Sequence, residues 1–420
     1  MVHRVFRRAT RAATTALLAF LPALPSRADP PDLSGAIPIP GTTSRIKPYA
    51  TIQIMGQYYF NQYVYDNGTL FSEYADALNA HSTPDRQFTM TARTSFIGFS
   101  TAIPTAPLGD LYTNLELGFN GGKPSPIGKP KVRQAWIGFG RWTIGYTWSN
   151  WINWDAQPET VDASGPIGST CFDTGFYTQV CYTVPLDRRN RLILSLEQNQ
   201  RAFLKWGGAD NPNLGDAATI KPDARYPTGV AAWEHKNEAW GQVSLRLLGQ
   251  QYGAYQPANP PAGAVRPGGW ACAAQVSGNF KVARRDKLAY SVYTGEGVGV
   301  YGFNPQAARF IMSENKVLFY RSTGWQAGYT HNWNERWRSN LIATGLYFGH
   351  TAAVQDADVR RVENYFVNTI VKLAPSLELG LEYGFEGLRT FGAGRVVERG
   401  GGKGDTNRSN KLQVALTAKF

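Results

Sequence analysis

The side chains with chemical potential in this sequence are isolated charges. Arg93, Arg133, Arg246 and Arg338 each stand among small polar and apolar neighbours, and so do Glu116, Glu378 and Glu382. Fixed cations and anions turned into a common space orient polar solutes and favour one sign of ion. A second concentration lies in residues 150–173, NWINWDAQPETVDASGPIGSTCFD. Asp155, Glu159 and Asp162 offer carboxylates there, and Trp151 and Trp154 are predicted to anchor the segment against an inner wall. Gly165-Pro166 and Gly168 would let it fold back tightly. An exposed acidic loop that binds Ca²⁺ or other cations at the cell surface is the competing reading, because loops are surface features by default. Nothing resembles an enzyme centre: GxSxG, HExxH, Walker and dinucleotide motifs are absent, and His81, His235, His331 and His350 are dispersed without metal-ligand spacing. No catalytic residue, metal or cofactor is expected.

The elements that must position these charges have period two. Leu412, Val414, Leu416, Ala418 and Phe420 alternate with Gln413, Ala415, Thr417 and Lys419. Leu377, Leu379, Leu381, Tyr383 and Phe385 alternate with Glu378, Gly380, Glu382, Gly384 and Glu386. Such strands have one greasy and one wet face. Sixteen such segments run from 46–60 and 87–100 to 376–386 and 409–420. Their connections alternate between brief turns, such as Gly140 and Ala374-Pro375, and long loops at 61–86, 121–129, 150–173, 199–227, 252–268, 296–318, 349–361 and 387–408. Short turns on one rim and long loops on the other describe an all-β fold: a transmembrane β-barrel of about sixteen antiparallel strands, one polypeptide per pore, with both termini in the periplasm. Parity then turns Arg93, Arg133, Arg246 and Arg338 into the lumen, with Glu116, Glu378 and Glu382 as luminal acids. Each arginine is either part of a solute filter or half of a structural ion pair. A charge facing lipid instead would cost ~2–4 kcal/mol at mid-membrane.

Composition agrees. The chain has 420 residues, 18 % of them charged, with 44 Gly, 21 Tyr, 21 Phe and 12 Trp. No uncharged apolar run after residue 30 is long enough for a membrane-spanning helix, and 3 cysteines exclude a disulfide scaffold. Residues 1–28 read as a secretory signal peptide: Arg4, Arg7, Arg8 and Arg11 precede the apolar stretch Ala12–Pro25, and Ser26 and Ala28 form a small-x-small cleavage site. With that segment go five arginines and no acid, so net charge falls from +12 to +7. The basic excess is partly an address, and no nucleic-acid motif accompanies it. Residues 29–45 read as a short periplasmic N-terminal segment and 46–420 as the barrel. Cys171 and Cys181 lie ten apart, a spacing that leaves open a disulfide pinning the 150–173 loop in an oxidising compartment. Phe420, an aromatic residue closing an alternating strand, fits the assembly signal read by the barrel-assembly machinery.

Several stretches resemble the DcaP-like porin family of Gram-negative outer membranes. GAIPIPGT (35–42) is similar to its opening motif, and IGYTWSNWINWDAQPETVDASGPIG (144–168) to its constriction-loop signature. GEGVG (295–299) and HNWNERWRSNL (331–341) also resemble it. The resemblance implies a sixteen-stranded homotrimeric porin, set among outer-membrane lipid and lipopolysaccharide, passing small anionic solutes such as dicarboxylates through an arginine-lined constriction. It carries over to Arg93, Arg133 and the loop acids. The chain departs from the family in lacking heptads before the barrel, and in having Cys181 and Val300 where arginine is common. Alternatives remain: a general non-specific porin, a secreted β-rich binding protein, or a lipase built on a barrel, for which His331 has outward parity.

Overall fold

The computed structural model describes residues 31–61, 86–106, 108–121, 128–161, 165, 175–199, 221–223, 225–255, 266–283, 285–302, 307–311, 314–356, 358–392, 396–397 and 403–420. The expected signal peptide lies outside them, as do Asp162 and Cys171.

Sixteen strands form one antiparallel cylinder. They are β1 (Arg45–Asn61), β2 (Gln87–Thr91 continued by Phe96–Thr105), β3 (Gly109–Gly121), β4 (Lys129–Phe139), β5 (Trp142–Trp148), β6 (Phe176–Pro185), β7 (Asn190–Glu197) and β8 (Thr228–Asn237). The circuit continues with β9 (Gly241–Tyr255), β10 (Gly268–Val282), β11 (Asp286–Glu296), β12 (Arg321–Asn332), β13 (Trp337–Phe348), β14 (Val359–Ala374), β15 (Leu377–Thr390) and β16 (Thr406–Lys419). Each pairs with its sequence neighbour, and β16 pairs with β1 from Thr51↔Lys419 to Asn61↔Asn410, closing the sheet. Closure leaves no edge strand with unpaired backbone groups, which a bilayer would not tolerate. At the seam the Phe420 amide donates to Ala50 O at 3.1 Å and the Ala50 amide to Phe420 O at 2.7 Å.

The wall is inverted relative to a water-soluble protein. Leu247 is 61 % exposed while its neighbour Arg246 is 2 % exposed. Ile52, Ile54, Phe99, Val276, Val292, Leu341, Val367, Leu381 and Val414 all face out, while Gln57, Asn114, Gln275, Gln326, Asn364 and Gln413 are buried inside. Aromatic rings collect along the short-turn rim: Trp233, His235 and Trp240 stack in series with Phe280 and Tyr290. Tyr329, His331, Trp333 and Trp337 continue the series. Rings with an apolar body and a polar tip fit this interfacial depth.

Three features depart from the sequence reading. First, β2 is not continuous over 87–100. Register runs Met55↔Thr91 and then Thr51↔Phe96, so four residues of β2 (92–95) face three of β1 (52–54). This bulge flips the parity, so Phe88 and Met90 but Ile97 and Phe99 point outward. Ser95 seals it by donating to Gln53 O at 3.3 Å and accepting from the Gln53 amide at 3.0 Å. Second, residues ahead of the barrel add to the sheet, which periodicity did not indicate: Ile37–Pro38 pairs with Arg45–Ile46, and Lys47 meets Asp32 at 2.6 Å. Third, the inner face is not uniformly polar. Toward the long-loop rim Tyr59, Val230, Leu248, Tyr293, Leu346, Val362 and Leu388 pack into an apolar cluster. Val298, Tyr301 and Tyr320 of the β11–β12 connection and Ala353 of the β13–β14 connection complete it by folding inward.

Candidate functional site: a belt across the lumen

After β5 the chain does not rise as an exposed loop. Residues 149–161 turn inward and cross the inner wall. The root is Asn150, whose three polar groups are all held. Its amide donates to Glu197 Oε1 at 3.0 Å, its side chain donates to Gln179 Oε1 at 2.7 Å, and its carbonyl accepts from Arg246. Trp151 is fully buried in the apolar cluster, beside Tyr293. Asn153 caps a single helical turn, Trp154–Ala156, by accepting from the Asp155 amide.

Beyond the root the belt meets successive strands in order. Asn153 donates to Ser277 on β10 at 3.0 Å, and Asn279 on β10 donates to Asp155 O at 2.8 Å. Gln326 on β12 donates to Ala156 O at 3.2 Å and Gln157 Oε1 at 3.1 Å. Arg338 on β13 grips both oxygens of Glu159 at 2.6 Å each, Asn368 on β14 donates to Glu159 O at 2.9 Å, and the Val161 amide donates to Glu382 Oε2 on β15 at 2.8 Å. Glycines let the belt lie close: a Cβ at Gly328 would stand 2.5 Å from Pro158 Cβ, and one at Gly380 would stand 2.7 Å from Val161 Cγ2.

The charged side chains predicted to be luminal, where described, lie on the inner face but with different duties. Arg133 pairs with Glu116 at 2.8 Å and lies over the Phe96 ring at 4.5 Å. Arg246, buried, shares Glu234 with Arg191, the latter at 2.7 Å. Arg338 joins Glu159 to Glu378, which Lys419 meets at 3.1 Å. Arg93 sits in the β2 bulge and donates to Asn120 O at 3.0 Å. For Arg133, Arg246 and Arg338 the ion-pair reading therefore describes the geometry. Of the loop acids, Asp155 pairs with Lys236 at 2.7 Å and leaves 46 % of its side chain exposed, and Glu159 leaves 42 %. Trp151 is fully buried beside Tyr293 of the wall. Trp154 differs: it stacks edge-on against Trp148 of β5 at 4.5 Å and remains 43 % exposed. Cys181 is a free thiol buried on the inner face; its expected partner lies outside the described residues.

Glu197, Glu234, Lys236 and Asn150 escaped the sequence reading. The signal for Glu234 and Lys236 existed, since they alternate with Trp233 and His235, but Val230 and Ala232 on the same inner face obscured it. Glu197 also accepts from Tyr301 OH at 3.1 Å, tying the β11–β12 connection to the root of the belt. Burial and the adjoining Glu197 carboxylate push the Tyr301 phenol well above its usual range, which keeps it a donor. Among the described residues no histidine, cysteine and carboxylate cluster could hold a metal.

The belt sets Asp155 and Glu159, each partly exposed, on the inside of the cylinder. Comparison with known proteins agrees with that architecture. The outer membrane channel DcaP of Acinetobacter baumannii superposes with a TM-score of 0.73 at 18 % identity, over 90 % of this chain and 97 % of that one. An anion-selective porin from Comamonas acidovorans gives a TM-score of 0.56 at 10 % identity, over 90 % and 100 %. The trimer form of OmpT, an outer membrane protein of Vibrio cholerae, gives 0.53 at 11 %, over 90 % and 99 %. None of the curated proteins compared matches the chain. The profile described as DcaP outer membrane protein matches residues 33–396. The chain belongs to the DcaP outer membrane protein family and is a sixteen-stranded porin-type barrel of the outer membrane.

Proposed function

We propose that this barrel passes small hydrophilic solutes by passive diffusion, preferring organic anions such as dicarboxylates, and that the 149–161 belt is its constriction. The observation that carries this reading is the belt itself. It is bonded to strands β6 to β15 and keeps Asp155, Glu159 and Lys236 partly open to lumen water. Fixed charges at a narrowing select solutes by sign and orientation. The net positive charge of the mature chain adds a field that concentrates anions. Arg93, Arg133, Arg246 and Arg338 serve this function mostly indirectly, by holding the belt and the wall. A general, weakly selective porin is the second reading, favoured by the pairing of Arg133, Arg246 and Arg338 with carboxylates, which cancels much of their field.

The protein works without catalysis in this reading. His331 stands opposite Ser339 on the outer wall, as a barrel lipase would need. Its ring is held by Asp286 at 2.9 Å, as in a catalytic triad, but the Ser339 hydroxyl is directed away from the imidazole: it accepts from the Trp333 indole at 3.0 Å and donates to Thr369. The remaining assignments belong to the same proposal. Residues 1–28 are an export signal removed after Ala28, 29–45 begin the mature chain in the periplasm, and Phe420 addresses the barrel to the assembly machinery. Three copies associate through outward residues of β1 and β16, including Leu412, Val414 and Leu416, with lipid and lipopolysaccharide around them. Planar-bilayer recording on purified, folded protein tests this. Conductance in three equal steps with a reversal potential favouring anions is expected; folded protein without conductance overturns it.

A further inference from the structure

Lys287 has no assigned role, and its position relative to the belt is specific. On β11, Ala289 pairs with Asn279 of β10 and with Gly328 of β12. Asn279 binds the carbonyl of Asp155, and Gly328 is the glycine against which Pro158 packs. The belt therefore crosses β11 at Ala289. Lys287 is the next inward side chain, two residues nearer the short-turn rim, about 7 Å along the strand. It lies in the combined field of Asp155 and Glu159.

Those two carboxylates are already engaged. Asp155 is paired with Lys236, and Glu159 and Glu378 share Arg338, with Lys419 completing the group. Asp155, Glu159 and Glu378 thus each have a cation of their own, and Lys287 is not among those cations. Half-buried, it makes neither hydrogen bond nor ion pair among the described residues. An ammonium on a flexible stem, held just beyond the narrowing, suits transient capture of a carboxylate or a halide. A guanidinium locked to a carboxylate does not.

We infer that Lys287 is the specificity-determining residue of the channel: the unpaired ammonium on the periplasmic side of the belt that binds each anion as it crosses. This rests on the anion-passing reading above, and the test separates the two. Reversal potentials are recorded under a KCl gradient for wild type, Lys287→Gln and Lys287→Arg, with heat-modifiable mobility confirming that each is folded. The anion/cation permeability ratio should fall by about threefold or more in Lys287→Gln and return in Lys287→Arg. A wild-type ratio favouring anions that Lys287→Gln leaves unchanged overturns the inference alone. A wild type without anion preference overturns it together with the anion reading. If Lys287→Gln forms no channel, Lys287→Cys is modified with a cationic and with an anionic thiol reagent, in a background with Cys171, Cys181 and Cys272 replaced by serine. The cationic adduct should then show the higher ratio; equal ratios overturn the inference.

Discussion

Arg338 and Glu159, 179 residues apart in sequence, meet through two parallel hydrogen bonds of 2.6 Å. One belongs to the wall and the other to the belt, and the fork geometry fixes direction as well as distance. Glu159→Gln removes the charge and one of the two acceptors. The far half of the belt should loosen, giving more frequent brief closures in single-channel recordings. The stability cost should be small, about 0.2–1 kcal/mol, because the carboxylate is partly in water.

The root of the belt should respond differently. Arg246 and Glu234 are buried, and Arg246 also donates to Asn150 O. Arg246→Ala strands Glu234 with only Arg191 and removes the donor to the belt. A loss of about 3–5 kcal/mol is expected from breaking such a buried pair, read by urea unfolding in detergent or lipid vesicles.

Gly328 tests how closely the belt lies. A methyl group there would stand 2.5 Å from Pro158, so one of the two must move. Gly328→Ala should displace the belt into the lumen and lower conductance, at a cost of about 1–3 kcal/mol from overpacking. Unchanged conductance would mean that Pro158 does not sit at the narrowing.

The inside-out wall gives a fourth expectation. Val276 points outward near the middle of β10. Val276→Arg should cost ~2–4 kcal/mol in a bilayer, whereas Gln53→Arg, directed into the lumen, should cost far less. Equal losses in vesicle-based unfolding would contradict the assignment of faces.

Strand number, the sorting of loops and most inward residues were legible because period-two alternation is local and the lipid face tolerates no charge. Arg246 and Glu382 could be placed from their immediate neighbours alone. The bulge at 92–95 was not legible, since it depends on register against β1 and on Ser95 bonding to Gln53. The inward apolar cluster was hidden because Val230 and Leu346 look like lipid-facing residues until Tyr301 and Tyr320 are seen to cover them. The loop acids were recognisable as a group, but their partners were not: Lys236 and Arg338 lie 81 and 179 residues away in sequence. The exposure of Trp154 was equally hidden, because burial of a loop tryptophan depends on which wall side chains close over it.

The central claim, that residues 149–161 narrow the conducting path, is tested most directly by Asp155→Cys in a background with Cys171, Cys181 and Cys272 replaced by serine. Modification with a bulky, water-soluble thiol reagent should reduce single-channel conductance to less than about half, because the adduct would occupy the narrowest part of the lumen. Complete modification with no change in conductance would show that ions do not pass the belt.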